Sequence, residues 1–168
     1  MFQLSGEEAR SWVRRNEGES HMKWEYDGYW ISDDRNDVDL DVAHKFLTTA
    51  YWCRDIPREI VERAFDNSLC FSIFNGHAMV GFGRVVTDYA TFGYLADVFV
   101  LELHRARGLA EWLVRTILHH PELQGFRRWS LTTRDAHRLY GKSGFTPLKS
   151  PEIYMEIHDP AVYSKDHA

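Results

Sequence analysis

The segment that most narrows the possible folds runs from Tyr94 to Ile117. Tyr94 to Val100 is largely apolar and predicts a buried strand, while Leu109, Trp112, Leu113 and Ile117 recur at helical spacing and predict one face of a helix. Between them stands Leu101-Glu102-Leu103-His104-Arg105-Ala106-Arg107-Gly108, a basic turn that ends in glycine. A strand, a turn with unpaired amides and a helix N-terminus together favour an anion, because the free N–H groups and the positive end of the helix dipole point the same way. Gly108 lets the backbone approach such an anion closely, and Arg105 and Arg107 add charge. Taken alone, the segment also reads as a plain strand–helix connection with two solvated arginines.

A chain of 168 residues suggests one domain with a sizeable core. The net charge of −5 supplies no basic field for nucleic acid or anionic membrane, so neither is expected as a partner. No apolar run approaches the roughly 18 residues of a transmembrane helix, and Met1 to Ser20 lacks the apolar centre of a signal peptide. Cys53 and Cys70 have no metal-ligand spacing and suggest a reducing compartment, hence a cytoplasmic location. His104, His119 and His120 read as exposed, and no metal site is expected. The aromatic residues could be core or could line an apolar cleft.

Ser5 and Glu8 form a capping-box pattern ahead of Ala9, Trp12 and Val13, which predicts a short N-terminal helix. Residues 1–22 read as an appendage, and residues 23–160 as the domain. Trp24 to Ser32 predicts one strand. Val42, Phe46 and Thr49 predict a helix capped by Asp39 or Asp41, and Pro57 stands at the first position of a second helix whose buried face is Ile60, Val61, Ala64 and Phe65. Ser68 to Phe74 and His77 to Val86 predict a hairpin turning at Asn75-Gly76, with Gly81 and Gly83 marking a bulge or a close backbone approach. After the central strand and helix come a strand over Arg127 to Thr133, a short helix over Ala136 to Lys142 and a last strand over Glu152 to His158. From Pro160 onward the chain reads as a polar tail. The order β-α-α-β-β-β-α-β-α-β implies an α+β fold on a mixed sheet.

Two stretches of this chain resemble the motifs of a known superfamily. Arg105-x-x-Gly108-x-Ala110, after Val98-x-Val100, is similar to the acyl-CoA signature of the GNAT N-acetyltransferases, and Ala136-x-x-Leu139-Tyr140-x-Lys142-x-Gly144-Phe145 resembles their second motif. Glu102 and Thr133 depart from the pattern, which more often has Pro and Asn there. The resemblance implies a GNAT fold in which the central strand splays from its neighbour. It implies that acetyl-CoA binds in the gap as co-substrate, its pantetheine arm along Val98, Phe99 and Val100 and its pyrophosphate on Arg105, Ala106, Arg107, Gly108, Leu109 and Ala110. Thr133, Asp135 and Lys142 would complete the cofactor site.

The resemblance assigns to Tyr140 the role of acid, protonating the thiolate as it leaves; the competing reading is a packed tyrosine on an amphipathic helix. Asp97 interrupts an apolar strand, where a carboxylate is costly unless used or paired. It reads either as the general base or as a carboxylate bracing a bulge. Arg84 faces the same region and could pair with Asp97 or with a substrate carboxylate. Acceptor contacts are expected from Tyr51, Trp52 and Arg54 and from Tyr154. The activity implied is acetyl transfer to the primary amine of a small molecule by direct attack. A non-catalytic acyl-CoA-binding module and a peptide or protein acetyltransferase are the rival readings. A homodimer through the last strand is a further expectation. Gly141-Lys142-Ser143 imitates the end of a P-loop, but its first glycine is Ala136 and a helix precedes it, so it is rejected. Gly81-x-Gly83 lacks the third glycine of a dinucleotide site.

Overall fold

The computed structural model describes residues 12–14 by their backbone and residues 21–164 in full. One seven-stranded sheet runs in sequence order, comprising β1 (Trp12–Arg14), β2 (Lys23–Tyr26), β3 (Tyr29–Ser32), β4 (Leu69–Asn75), β5 (Ala78–Thr87), β6 (Phe92–Val100) and β7 (Arg128–Ser130). The first five pairings are antiparallel, and β6 and β7 are parallel. Two helices, α1 (Leu40–Leu47) and α2 (Arg58–Asp66), separate β3 from β4. The crossover from β6 to β7 is α3 (Leu109–Leu118), and α4 (His137–Gly141) follows β7. The α+β mixed sheet read from the sequence is therefore the architecture observed.

Helices cover both faces of the sheet, and the core divides accordingly. On one face Ile31, Phe71, Ile73, Val85 and Leu95 pack against Leu109, Leu113, Val114 and Ile117 of α3. On the other, Phe74, Phe82 and Phe99 pack against Ala43 and Leu47 of α1 and Val61 and Phe65 of α2. Burial on both sides explains why β4 is buried without interruption from Cys70 to Phe74. Phe82 is fully buried with its ring 4.5 Å from that of Phe65. Burying a side chain of this size contributes about 1.5–3 kcal/mol.

Local chemistry accounts for most boundaries. Asp39 caps α1, its side chain accepting from the amides of Asp41 and Val42. Pro57 stands one position earlier than expected, as the N-cap of α2. Gly76, at a φ of 58°, opens the turn of the β4–β5 hairpin, with Asn75 as the last paired residue.

Four expectations fail. Trp12–Arg14 is strand and not helix, because it hydrogen-bonds along the edge of β2; Ser5, Glu8 and Ala9 lie outside the described residues. Trp24 to Ser32 is two strands, since Asp27 and Gly28 take positive φ values of 48° and 77° and turn the chain back on itself. The last strand does not form: Pro151–Ile153 makes a single 3-10 turn, and Glu152 to His158 enters no ladder. A strand needs a partner edge, and this stretch touches β7 through Tyr154 and Arg128 without pairing with it. His120 is buried, its Nε2 lying 3.0 Å from Asp33 Oδ2, and His104 is half-buried against the Tyr29 hydroxyl. No described helix is long and apolar enough to cross a membrane.

Candidate active site

The site begins with incomplete pairing. β7 hydrogen-bonds to β6 only from Phe92 to Tyr94, so among the described residues the stretch from Leu95 to Val100 has β5 on one side and no strand on the other. On the β5 side the register slips between Phe82 and Arg84, leaving Asp97 and Val98 opposite Gly83. This is a β-bulge, which bends the strand and frees backbone groups from the ladder. Gly83 is closely packed there: a Cβ would lie 3.2 Å from Leu113 Cδ2 and 3.3 Å from Val98 Cγ2, so those side chains would have to give way slightly.

Asp97 sits at the bulge with a φ of 53°, a backbone state that costs a non-glycine residue about 1–3 kcal/mol. Its side chain holds the bulge in place. Arg84 Nε donates to Oδ2 at 2.6 Å, Trp52 Nε1 donates to Oδ1 at 3.0 Å, and Arg84 Nη1 reaches Ser68 Oγ at 2.9 Å. The carboxylate side chain is 11% exposed. Of the two roles read from the sequence, bracing and pairing with Arg84 is the one this geometry displays.

The gap beyond Tyr94 opens into a cleft of about 500 Å³. Leu95 to Val98 form its floor, Tyr51, Trp52 and Cys53 of the α1–α2 loop one wall, and residues 132–136 with Tyr140 the other. Tyr140 is half-buried, with its ring T-shaped against Phe145 at 6.0 Å. Burial, and then the neighbouring Tyr51, push its phenol up to about 12. It therefore keeps its proton at neutral pH, as an acid must. Cys53 donates to the Leu47 carbonyl, and burial followed by the nearby Asp97 charge pushes its thiol up to about 12. A thiol so held is a poor nucleophile.

At the end of β6 the chain forms the expected turn. Ala106 and Gly108 have positive φ values of 61° and 77°, and Gly108 opens α3 with no side-chain cap. The amides at the start of α3 are thus left without a side-chain acceptor, beside a concavity of about 200 Å³ that Val100, Arg105, Ala106, Gly108, Leu109 and Ala110 help to line. Left-handed residues alternating with ordinary ones turn successive N–H groups inward, and such nests hold anions. Arg105 is turned back, its Nε donating to the Val100 carbonyl at 2.9 Å, while Arg107 is exposed.

The remaining residues divide. The Phe99 side chain stacks on Phe46 at 4.0 Å and belongs to the core, so only its backbone can serve a ligand. Thr133 and Asp135 line the cleft, and Thr133 Oγ1 accepts from the Ala136 amide. Lys142 pairs with Glu111 at 2.7 Å. Arg54 is exposed and lines none of these cavities. Tyr154 stands apart: Arg128 covers its ring, and both line a separate cavity of about 520 Å³ that includes neither Asp97 nor Tyr140. The final strand expected to carry Tyr154 does not form.

Sequence reasoning missed Tyr94, Cys53, Arg134 and Tyr163, all on the cleft. Tyr163 belongs to the stretch read as a polar tail, yet it is half-buried against the α1–α2 core. Only the turn-like Thr132-Thr133-Arg134-Asp135 run before the second motif could have flagged Arg134. Among the described residues no group of three or more His, Cys, Asp or Glu side chains could hold a metal ion.

Comparison with known proteins agrees with this geometry. The profile of the acetyltransferase (GNAT) family matches residues 39–145. A Gibberella zeae protein whose name assigns it to the acetyltransferases is 29% identical over 145 residues, which is 73% of this chain and 81% of the relative. A crystal structure from Xanthomonas campestris pv. campestris, assigned to the same family, is 45% identical with a TM-score of 0.81, covering 84% of this chain and all of the other. An acetyltransferase structure from Clostridium acetobutylicum, solved with acetyl-CoA, shares the fold at a TM-score of 0.54 and 12% identity, covering 77% of this chain and 94% of the other.

Proposed function

We propose, for a chain that belongs to the GNAT acetyltransferase family, that it moves an acetyl group from acetyl-CoA to the primary amine of a small molecule, by direct attack within a ternary complex. The observation that carries this is the half-paired β6: its open edge meets an amide nest at one end and a protonated phenol at the other. The acetyl-CoA held by the Clostridium acetobutylicum relative supports the choice of donor.

Each part has a task. The nest at Ala106 to Gly108, with Arg107 beside it, receives the pyrophosphate. The open backbone edge of β6 pairs with the amides of the pantetheine arm, and amides at the bulge polarise the thioester carbonyl as it gains negative charge. Attack by the amine forms the C–N bond and breaks the C–S bond. Tyr140 gives its proton to the departing sulfur. The protonated Cys53 supports direct attack over a route through an acyl-enzyme. Asp97 has both oxygens engaged, by Arg84 and Trp52, so its role is to fix the bulge, and the ammonium proton leaves through water in the open cleft. Thr133, Asp135 and Lys142 border the cofactor; Tyr51 and Trp52 border the acceptor. The free thiols of Cys53 and Cys70 suit a cytoplasmic setting.

Calorimetric titration with coenzyme A, followed by thiol release from acetyl-CoA over a panel of primary amines, tests the reading. Saturable binding and amine-dependent release are expected. Binding without release from any amine would favour a cofactor-sensing module, and no binding at all would overturn the account.

A further inference from the structure

Deepening that reading, and resting on it, we propose that the acceptor is an amine that also carries an oxyanion, a carboxylate or a phosphate, and that Arg134 binds this group. Arg134 follows β7 and lines the cleft where the chain after β7 meets Tyr51 of the α1–α2 loop. Two contacts with Tyr51 fix it: its backbone N–H donates to the Tyr51 hydroxyl at 3.1 Å, and its guanidinium carbon lies 3.9 Å from the centre of the Tyr51 ring. A guanidinium stacked on an aromatic face makes that contact through its plane and keeps the N–H donors around its rim.

Those donors are available. Among the described residues no ion pair engages the Arg134 guanidinium, whereas Arg84, the other arginine on the cleft, is committed to Asp97 and Ser68. A planar fork of N–H donors matches a carboxylate or a phosphate in two parallel hydrogen bonds. The ring contact also restrains the side chain beforehand, so less side-chain freedom is lost on binding. The cofactor does not account for this cation. The pantetheine arm is uncharged, and the nest that suits the phosphates is built by other residues at the far end of β6.

Thiol release from acetyl-CoA is measured for three matched primary amines: one otherwise neutral, one bearing a carboxylate and one bearing a phosphate monoester. One of the anionic amines is expected to have a kcat/KM about tenfold or more above that of the neutral amine; which one tells carboxylate from phosphate. Arg134→Gln should remove that preference through KM, leaving the neutral amine and the KM for acetyl-CoA nearly unchanged, and Arg134→Lys should restore part of it. No preference for either anion, or an equal loss on all three amines in Arg134→Gln, would overturn the proposal. Titrating the coenzyme A complex with the same amines reads affinity without turnover. An Arg134-dependent anion preference there, with no thiol release, supports this assignment and counts against acetyl transfer. Release without preference overturns this assignment alone.

Discussion

The two halves of β6 are built to opposite specifications. At Gly93 and Tyr94 the strand is paired on both sides, and Gly93 is pressed so closely that a Cβ would lie 2.8 Å from the Trp129 ring. From Leu95 to Val100 it is paired on one side, bulged at Asp97 and open to a cleft. The closed half holds the sheet together and the open half offers backbone groups to a ligand. The ladder is left unfinished beside the cleft, and the Arg84–Asp97–Trp52 brace holds the bulge at that point.

The largest effect should come from the open half. Tyr140→Phe keeps the packing against Phe145 and removes the proton, so kcat should fall by about 10²–10⁴-fold in a thiol-release assay. The fall should be similar across the neutral range, because a phenol held near 12 loses no proton there. Unchanged turnover at every pH would remove Tyr140 from the chemistry.

Asp97→Asn is expected to lower kcat/KM by roughly 10–100-fold, the cost of disturbing the alignment of reacting groups, with the acidic limb of the pH–rate profile retained. Loss of that limb would make Asp97 the general base after all. The closed half should behave in reverse. Gly93→Ala crowds Trp129 and Phe126 and should destabilise the fold by about 1–3 kcal/mol, read as a lower Tm, with coenzyme A affinity nearly unchanged. If Gly93→Ala instead weakened cofactor binding more than it lowered Tm, the division between the halves would fail.

The smallest effect concerns alkaline stability. A phenol raised above its ordinary value keeps its proton longer in the folded state, so its contribution is fully present below about pH 10 and declines as pH rises toward about 12. Urea unfolding of wild type should show that decline, and Tyr140→Phe should lack its share of it.

The legible parts of the site were those carried by contiguous residues. The turn from Arg105 to Ala110 and the helix behind it could be read because glycine, charge and helical spacing all lie within a few turns of chain. Asp97 was conspicuous because a carboxylate in an apolar strand demands an explanation. Its partners were harder to read: Arg84 lies 13 residues away and Trp52 lies 45 residues away, and only the sheet and the α1–α2 loop bring them together. Tyr154 was misplaced for the same reason, since whether a strand-like stretch pairs depends on an edge formed elsewhere.

Local sequence, then, decided what short-range forces decide: the caps of the helices, the turns at glycines and the left-handed residues of the amide nest. Asp27-Gly28 shows that even an overlooked hairpin had its signal in the chain. Tertiary structure alone decided where β7 stops pairing with β6, which side chains face one another across the cleft, and that Arg134 lies on Tyr51 with no ion pair to its guanidinium among the described residues. Backbone preference extends over a few residues. A gap between strands is a relation among segments that meet only after folding, and no single segment encodes it.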